Sequence, residues 1–412
     1  MAKVITTELQ HSGASGANIT LDSSKNVTVE NNLTVDGTTT LTGAVTLPAG
    51  TTSDTLSFRN LIINGAMQVA QRGTSSTTTG TYVADRWKHS FSGHDEAPTI
   101  AIHALTSSDT GPWGAGFKKC LQLTNGNQTS GAGAADFFNL MYYFEGQDVA
   151  NSGWDYKDPN SKITLSFWMK SSVAQNFHGY VRTPDGTAYS YPFETGSLSA
   201  DDWTKITKTI PGNANLQIDN DNGAGFQLVL YAFGGTDYTA TPTLNTWAAY
   251  SGSTRTPDQT STWWTTNDSD IELTGFQLET GSTATDFEHR SYGDELARCQ
   301  RYYYRINPDA NDDILTGTAW TPFQNQAQGI VEFPVTMRAR VTALEQSGTA
   351  TDYQVSYGSG GADCSSVPVF NNGGRNGCGQ TFTVSGTPWT VGDAVRPSNK
   401  TTDGFLAWSA EL

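Results

Sequence analysis

Five aromatic residues lie in one long polar segment, residues 234–268. They are set among Thr, Gly and Ser, and they are Tyr238, Trp247, Tyr250, Trp263 and Trp264. A sugar ring stacks on the exposed face of a Trp or Tyr ring, because its apolar C–H groups meet the ring quadrupole. Connections of this length are usually functional or disordered. The segment therefore predicts carbohydrate-binding loop residues.

The same aromatic residues also have a structural interpretation. They could close the end of a β-sandwich or lie between chains, and for Trp247 we favour this alternative. Because adjacent residues on a strand point to opposite faces, one of Trp263 and Trp264 is expected in the core and the other in solvent. Arg375, in the Gly-rich segment 358–379, is a further candidate, since guanidinium suits a phosphate or carboxylate on a surface glycan. The alternative for this segment is a flexible loop.

Metal and redox chemistry find little support in the sequence. Asp219–Gly223 offers closely spaced oxygen ligands, but the twelfth residue of an EF-hand loop would be Leu230 rather than Glu, which favours an Asx-rich turn. The four cysteines form no CxxC pair, so we predict no metal and no cofactor. Cys364 and Cys378 flank a Gly- and Asn-rich loop and could form a disulfide, although free thiols are expected.

Hydrolytic chemistry would need a specific constellation of residues. A glycoside hydrolase needs two carboxylates that flank the sugar, but among 40 acidic residues such pairs arise by chance. The sequence has no Gly-x-Ser-x-Gly and no His-Glu-x-x-His motif. We therefore predict a protein that is not an enzyme.

The elements that must position these residues read as short strands. Residues 163–169 and 226–232 alternate between apolar and other positions, as strands of a sandwich do. In residues 271–278 the apolar residues occupy odd positions before Gly275 and even positions after it, which indicates a β-bulge at this glycine. Short strands separated by long Gly/Asn/Thr loops favour a jelly-roll sandwich of two antiparallel sheets.

Residues 294–300 read as a short helix that opens a last segment of about 115 residues, long enough for a small domain. Strands are predicted there at 331–335, 381–384 and 405–412. Pro334 predicts that the first of these is an edge strand. The alternation in the last strand predicts that the C-terminus packs into the fold.

Residues 18–47 carry a different pattern, a repeat of apolar pairs. The pairs are Ile19/Leu21, Val27/Val29, Leu33/Val35, Thr39/Leu41 and Val45/Leu47, recurring every six residues from Val27. A strand with two aliphatic side chains buries too little area to offset its conformational entropy, so such repeats need neighbours. The pattern predicts a trimeric β-repeat shaft, that is, a parallel homotrimer joined along residues 18–57.

Composition excludes several classes of protein. The net charge of −16 and the absence of a basic cluster argue against a nucleic-acid partner. No apolar stretch of about 18 residues and no signal-peptide core are present. We therefore expect that the chain does not insert into a membrane and that it is made in the cytoplasm.

Three groups of motifs follow one another along the chain in a distinctive order. Residues 60–73 read NLIINGAMQVAQRG and are followed by Asp85-Arg86-Trp87; residues 275–281 read GFQLETG and are followed by the segment 287–304; the chain ends AWSAEL. Together and in this order they resemble the scaffold of a β-sandwich module in bacteriophage tail fibres. The resemblance implies a trimeric fibre with a carbohydrate-binding-module-like sandwich. It assigns no binding residue.

From these observations we predict an all-β chain of four parts. Residues 1–17 attach to the virion through other tail or baseplate proteins, 18–57 form the shaft, 58–292 the jelly-roll sandwich, and 293–412 a small β-sandwich tip. The predicted function is non-enzymatic adhesion of a phage tail fibre to host polysaccharide or lipopolysaccharide, which places the protein in the virion. The alternatives are a tailspike depolymerase and a purely structural spacer or decoration protein.

Overall fold

The computed structural model describes residues 59–358 and 360–412 and three short strands before them. The chain separates into two compact units, Met1–Ser53 and Asp54–Leu412. The first unit contains an antiparallel sheet of β1 (Glu8–Leu9), β2 (Ile19–Leu21) and β3 (Val27–Val29), in that order. Strands β2 and β3 coincide with the first two predicted apolar pairs. The later pairs, from Leu33 to Leu47, lie outside the described residues.

The second unit begins with a sandwich of two six-stranded sheets. Sheet A has the order β15-β11-β10-β13-β8-β5, and sheet B has the order β12-β9-β17-β7-β6-β4. The elements are β4 (Ser75–Ser76), β5 (Trp87–Ser92), β6 (Thr99–Ala104), β7 (Lys119–Thr124), β8 (Phe137–Glu145), α1 (Gly146–Ala150), β9 (Lys162–Ser171), β10 (Asn176–Thr183), β11 (Tyr189–Ser197), β12 (Thr204–Pro211), β13 (Ala224–Gly234), β14 (Thr239–Ala240), β15 (Ala248–Ala249), β16 (Thr256–Pro257), α2 (Thr262–Thr265) and β17 (Asp270–Thr280). The predicted sandwich is confirmed.

The core between the sheets follows from strand alternation. Along β9 the residues Ile163, Leu165, Phe167 and Met169 are buried in one cluster with the inward residues of the other strands. In β17 the register shifts between Thr274 and Gln277, and Gly275 takes a φ of 70°. This bulge returns Phe276 and Leu278 to the core, as the inverted apolar phase predicts.

The C-terminal lobe consists of a seven-stranded and a three-stranded sheet around a second core. The orders are β23-β22-β26-β19-β20-β25-β24 and β18-β27-β21. The elements are α3 (Tyr292–Gln300), β18 (Tyr303–Ile306), β19 (Ala319–Phe323), β20 (Gln326–Glu332), β21 (Glu345–Gln346), a 3₁₀ turn (Ala350–Asp352), β22 (Tyr353–Tyr357), β23 (Gly360–Asp363), β24 (Val369–Gly373), β25 (Gly377–Thr383), β26 (Ala394–Asn399) and β27 (Leu406–Ser409). Cys364 and Cys378 are free and buried here.

Two details of this lobe bear on the sequence predictions. The prediction of an edge strand at 331–335 is wrong, since β20 lies between β19 and β25. The strand ends at Glu332, so Pro334 falls beyond it and removes no ladder hydrogen bond. The packed C-terminus is confirmed: β27 is the central strand of its sheet, Trp408 is buried, and Leu412 packs against the cluster that contains Cys299 and Tyr302.

A buried ionic network joins the sandwich and the C-terminal lobe. Glu145, at the end of β8, accepts hydrogen bonds from Nε and Nη2 of Arg301, both at 2.7 Å, and from Tyr302 Oη at 2.6 Å. Burial alone would raise the pKa of Glu145, but the bonds from Arg301 and Tyr302 outweigh it and hold that pKa below its usual value. Arg86 pairs with Glu411 near the end of the chain. The predicted boundary at 292/293 lies within the unit Asp54–Leu412, and its place as a domain boundary stays a prediction.

Candidate glycan-binding surface

Trp263 and Trp264 lie in α2, a single helical turn, and not on a strand. Both side chains are fully buried. Their Nε1 groups donate to the main-chain oxygens of Asp270 at 3.1 Å and Gly131 at 2.8 Å. The prediction that one of the two faces solvent is therefore wrong. The helical turn sends both rings into the sandwich core, and neither presents a face to a sugar.

Trp247 and Arg375 also lie apart from any shared site. Trp247 is buried in the sandwich core, with its ring 5.4 Å from that of Tyr191, and its Nε1 donates to Pro211 O at 2.7 Å. The burial of Trp247 thus supports a structural role for this residue and not a role in sugar binding. Arg375 is exposed in the turn between β24 and β25 in the C-terminal lobe, and its Nε donates to Met337 O at 2.9 Å.

Tyr238 and Tyr250, by contrast, lie over the outer face of sheet A. Successive side chains of a strand point to opposite faces of its sheet. Tyr143 on β8, Arg182 on β10 and Tyr231 on β13 each follow and precede residues that point into the core, so these three side chains point outward. The register places Tyr143 and Arg182 on either side of Gln227 in one row across the sheet.

Rings and guanidinium groups make close contacts on this face. The Arg182 guanidinium lies 4.0 Å from the centre of the Tyr250 ring, which in turn lies 6.1 Å from that of Tyr180. Arg255 lies 4.7 Å from the centre of the Tyr238 ring and donates from Nη1 to Tyr231 Oη at 3.0 Å. Five partly exposed residues make up what we call the tyrosine–arginine surface: Tyr143, Arg182, Tyr238, Tyr250 and Arg255.

Burial sets the protonation states on this surface. Burial raises the pKa of Tyr143, and the charge of Arg182 only partly offsets it. Burial likewise raises the pKa of Tyr231 against the opposing effect of Arg255, and lowers the pKa of His178. At neutral pH these phenols therefore keep their protons and His178 is neutral. The tyrosine–arginine surface therefore offers neutral phenols beside two cations, and Tyr231 and His178 are buried beneath it.

Four polar atoms at this face lack a hydrogen-bond partner among the described residues. They are Arg182 Nε, Arg255 Nε, His178 Nδ1 and Asn139 Oδ1. His178 and Asn139 lie on either side of Tyr231 in one row of the sheet. These four atoms are buried, so a sugar at this face meets the partly exposed rings and guanidinium groups and not the four atoms themselves. Partly exposed rings beside guanidinium donors suit a hydroxyl-rich ring with an apolar face.

The sequence indicated only two of the five residues of the tyrosine–arginine surface. Tyr143 and Arg182 are on strands, and Arg255 is on the same long loop as Tyr238 and Tyr250. The signal that could have found Tyr143 is the alternation of β8, in which Phe138, Leu140, Tyr142 and Phe144 enter the core. The intervening residues must therefore face outward.

His103, Cys120 and Glu272 form a cluster on sheet B with ligand atoms within 4.8 Å of one another. Glu272 is already paired, through Oε1 with His103 Nδ1 at 2.9 Å and through Oε2 with Lys170 Nζ at 2.5 Å. Burial and the charge of Glu272 raise the pKa of the Cys120 thiol, which opposes the thiolate that a metal needs. Glu272 is thus already engaged by Lys170 and His103, and the cluster does not alter the prediction of no metal.

The Asp219–Gly223 segment adopts the turn that the sequence favours. Asp221 Oδ1 accepts a hydrogen bond from Gly223 N at 2.8 Å, as in an Asx turn. Asp219 N donates to Asp185 Oδ2 at 2.8 Å. These contacts account for the Asp/Asn-rich composition as a hydrogen-bonded turn before β13.

Comparisons with known proteins find likeness only among solved structures. No protein-family model matches the chain. No curated protein matches it either. The enzymatically active domain of tailspike protein 4 of bacteriophage CBA120 matches 54% of this chain with 11% identity and a TM-score of 0.29. The chain covers only 21% of that tailspike domain.

Two carbohydrate-binding modules match a similar share of the chain. The family 11 module from Clostridium thermocellum, in complex with a β-1,3-1,4-mixed-linked tetrasaccharide, matches 52% of this chain and 98% of its own, with 11% identity and a TM-score of 0.23. The N-terminal cellulose-binding domain of Cellulomonas fimi β-1,4-glucanase C matches 53% and 99%, with 10% identity and a TM-score of 0.25. At these TM-scores none of the likenesses establishes what the present chain does.

Proposed function

We propose that this chain is a non-enzymatic tail fibre of a bacteriophage that attaches the virion to a glycan of the host-cell surface. The tyrosine–arginine surface on sheet A is the site that binds the glycan. The other partners are two further copies of the chain and the tail or baseplate proteins that residues 1–17 contact. The glycan is a surface polysaccharide or lipopolysaccharide of the host, and the fibre is made in the host cytoplasm.

The glycan-binding proposal rests on one observation. The guanidinium groups of Arg182 and Arg255 lie against the partly exposed rings of Tyr250 and Tyr238 over the outer face of sheet A. A sugar supplies acceptor hydroxyls for the donors and an apolar C–H face for the rings. Residues positioned on strands hold such a constellation with better defined geometry than loop residues alone.

The tail-fibre part of the proposal rests on the sequence motifs, whose positions fit a scaffold role. Asn60 Nδ2 donates to Phe276 O at 2.9 Å, and Leu61 N donates to Leu278 O at 2.9 Å. The opening motif, residues 60–73, thus pairs with residues 275–281. These motifs hold the start of the sandwich against its last strand and leave the tyrosine–arginine surface to specify the ligand.

Assembly of the fibre gives a direct prediction. Light scattering of the whole chain in solution should give about three times the monomer mass of 44.3 kDa, because the aliphatic pairs of residues 18–57 are too few to form a core in one chain. Deleting residues 1–57 should weaken this association and leave the sandwich folded. A monodisperse species at the monomer mass would contradict the trimer.

Glycan binding should depend on the tyrosine–arginine surface. On an array of purified bacterial surface polysaccharides, we expect Tyr250→Ala and Arg182→Leu each to weaken binding by about five- to thirtyfold, the equivalent of about 1–2 kcal/mol. The physical reason is the loss of a stacking ring in one variant and of a cationic donor in the other.

Tyr292→Ala is the matched control, because Tyr292 is exposed at the start of α3 in a different region. It should bind as the wild type does. Retained binding by both surface variants would contradict the site. Release of new reducing ends from the bound polysaccharide would instead favour the depolymerase alternative.

A further inference from the structure

A cleft of about 550 Å³ opens on the outer face of sheet B, on the side of the sandwich opposite the tyrosine–arginine surface. Ligand sites in proteins commonly have volumes of roughly 300–1,000 Å³. The cleft is bounded by β9, by the bulge of β17 and by two loops, residues 105–118 and 281–291. None of the residues in these loops serves the site described above.

Aromatic rings form the apolar part of this cleft. Trp168 projects from β9 between the inward residues Phe167 and Met169, and it is partly exposed. The rings of Phe117 and Phe287 lie 4.8 Å apart in an edge-to-face arrangement, and His289 lies 5.2 Å from Phe117. Partly exposed Phe287 and Trp168 thus provide the faces on which a ligand can stack.

Two glycines hold the main chain directly against these rings. A Cβ on Gly111, which has a φ of +97°, would lie 2.6 Å from the Trp168 ring. A Cβ on Gly275 would lie 2.7 Å from Phe117 and 3.0 Å from Trp168. Because these close contacts fix the rings in place, the cleft is formed before any ligand arrives, which lowers the entropic cost of binding.

The polar part of the cleft has hydroxyls and one charge of each sign. Ser166, which is buried, and Thr285, whose hydroxyl donates to Glu279 Oε2 at 2.6 Å, line the cleft, and Lys205 and Asp286 are exposed. Lys205 lies opposite Trp168 in the register of β9 and β12. His289 Nε2 is within 2.9 Å of Ala115 O, which ties the two loops together. One apolar wall with balanced charges suits a neutral ligand that carries many hydroxyls.

We propose that this cleft is a second glycan-binding site, which takes a neutral pyranose unit of a polysaccharide on Trp168. The inference rests on the proposed function, because it assumes that the chain binds glycans. Two sites on opposite faces of one sandwich let a single fibre engage two segments or two chains of a surface polysaccharide. A second attachment of this kind raises the overall avidity through effective concentration, without any stronger single contact.

The test uses the full chain on an array of purified neutral polysaccharides. We expect Trp168→Ala to reduce the retained binding by about tenfold on at least one polysaccharide, since one stacking contact is lost. Trp168→Phe, which keeps a ring, should retain most of the binding. Lys205→Ala removes an exposed side chain, so it tests the cleft without a risk to folding, and it should also weaken binding.

The comparison with Tyr250→Ala separates this inference from the proposed function. If Tyr250→Ala loses binding while Trp168→Ala and Lys205→Ala bind normally, the second site is wrong and the tyrosine–arginine surface stands. If only the cleft variants lose binding, the cleft is a site and the tyrosine–arginine surface is not. If the wild type binds no polysaccharide on either array, both proposals fail.

Discussion

We expect Trp264→Ala to lower the free energy of unfolding by about 3–5 kcal/mol, the range for deleting a large buried aromatic side chain. Trp264 is completely buried, and its ring lies 4.2 Å from His94 and 4.9 Å from Phe233. Its Nε1 donates to Gly131 O at 2.8 Å, so the substitution leaves both a cavity and an acceptor without its donor. Urea denaturation followed by circular dichroism measures the change.

Trp320→Ala is the matched control for this prediction. Trp320 lies on β19 and is 46% exposed, so its removal should cost far less. A change below 1 kcal/mol for Trp264→Ala, or equal changes for both variants, would contradict the placement of Trp264 in the core. Such a result would instead support Trp264 as a loop residue that binds a glycan.

The second large effect is expected at the junction of the two lobes. Arg86→Met should lower the free energy of unfolding by about 3–5 kcal/mol, because it leaves the Glu411 carboxylate buried without its closest cation. The Arg86 side chain is 2% exposed, stacks 3.4 Å above the Tyr302 ring and donates to Tyr143 O at 2.6 Å. Arg72 remains 3.5 Å from Glu411 and can compensate only in part.

The surface ion pair of Lys400 and Asp363 provides the control. Both side chains are exposed, so Lys400→Met should change the free energy of unfolding by less than about 1 kcal/mol. In the double variant Arg86→Met/Glu411→Leu, stability should partly recover, because no buried charge is left unpaired. No recovery in the double variant would show that packing, not the charge pair, dominates at this junction.

Local sequence patterns predicted β9, β13 and β17 because each of these strands carries its own alternation of apolar residues, whereas β8 and β10 were not predicted. Ile163 to Met169 and the bulge at Gly275 need only neighbouring residues to be recognised. Trp263 and Trp264 were mispredicted because a four-residue helix has too few residues to show a helical period. A long loop gives no strand register from which to infer which ring is buried.

The candidate site was harder to predict because it depends on strand order. Tyr143 and Arg182 are 39 positions apart in sequence and meet only because β13 pairs with both β8 and β10. The junction of the lobes is similar: Glu145 and Arg301 are 156 residues apart. The sequence around each of these residues does not indicate which distant residue it contacts. The loop residues Tyr238 and Tyr250 were identified from composition alone. The sequence did not predict which face of the sandwich they lie on.

The central claim is that a sugar binds on the tyrosine–arginine surface. A crystal structure of the chain with the oligosaccharide repeat of the polysaccharide that binds best on the array tests it most directly. We predict density for a sugar ring against Tyr250, with a hydroxyl within hydrogen-bonding distance of the Arg182 guanidinium. Sugar density elsewhere on the chain, with this surface empty at a saturating concentration, would contradict the claim.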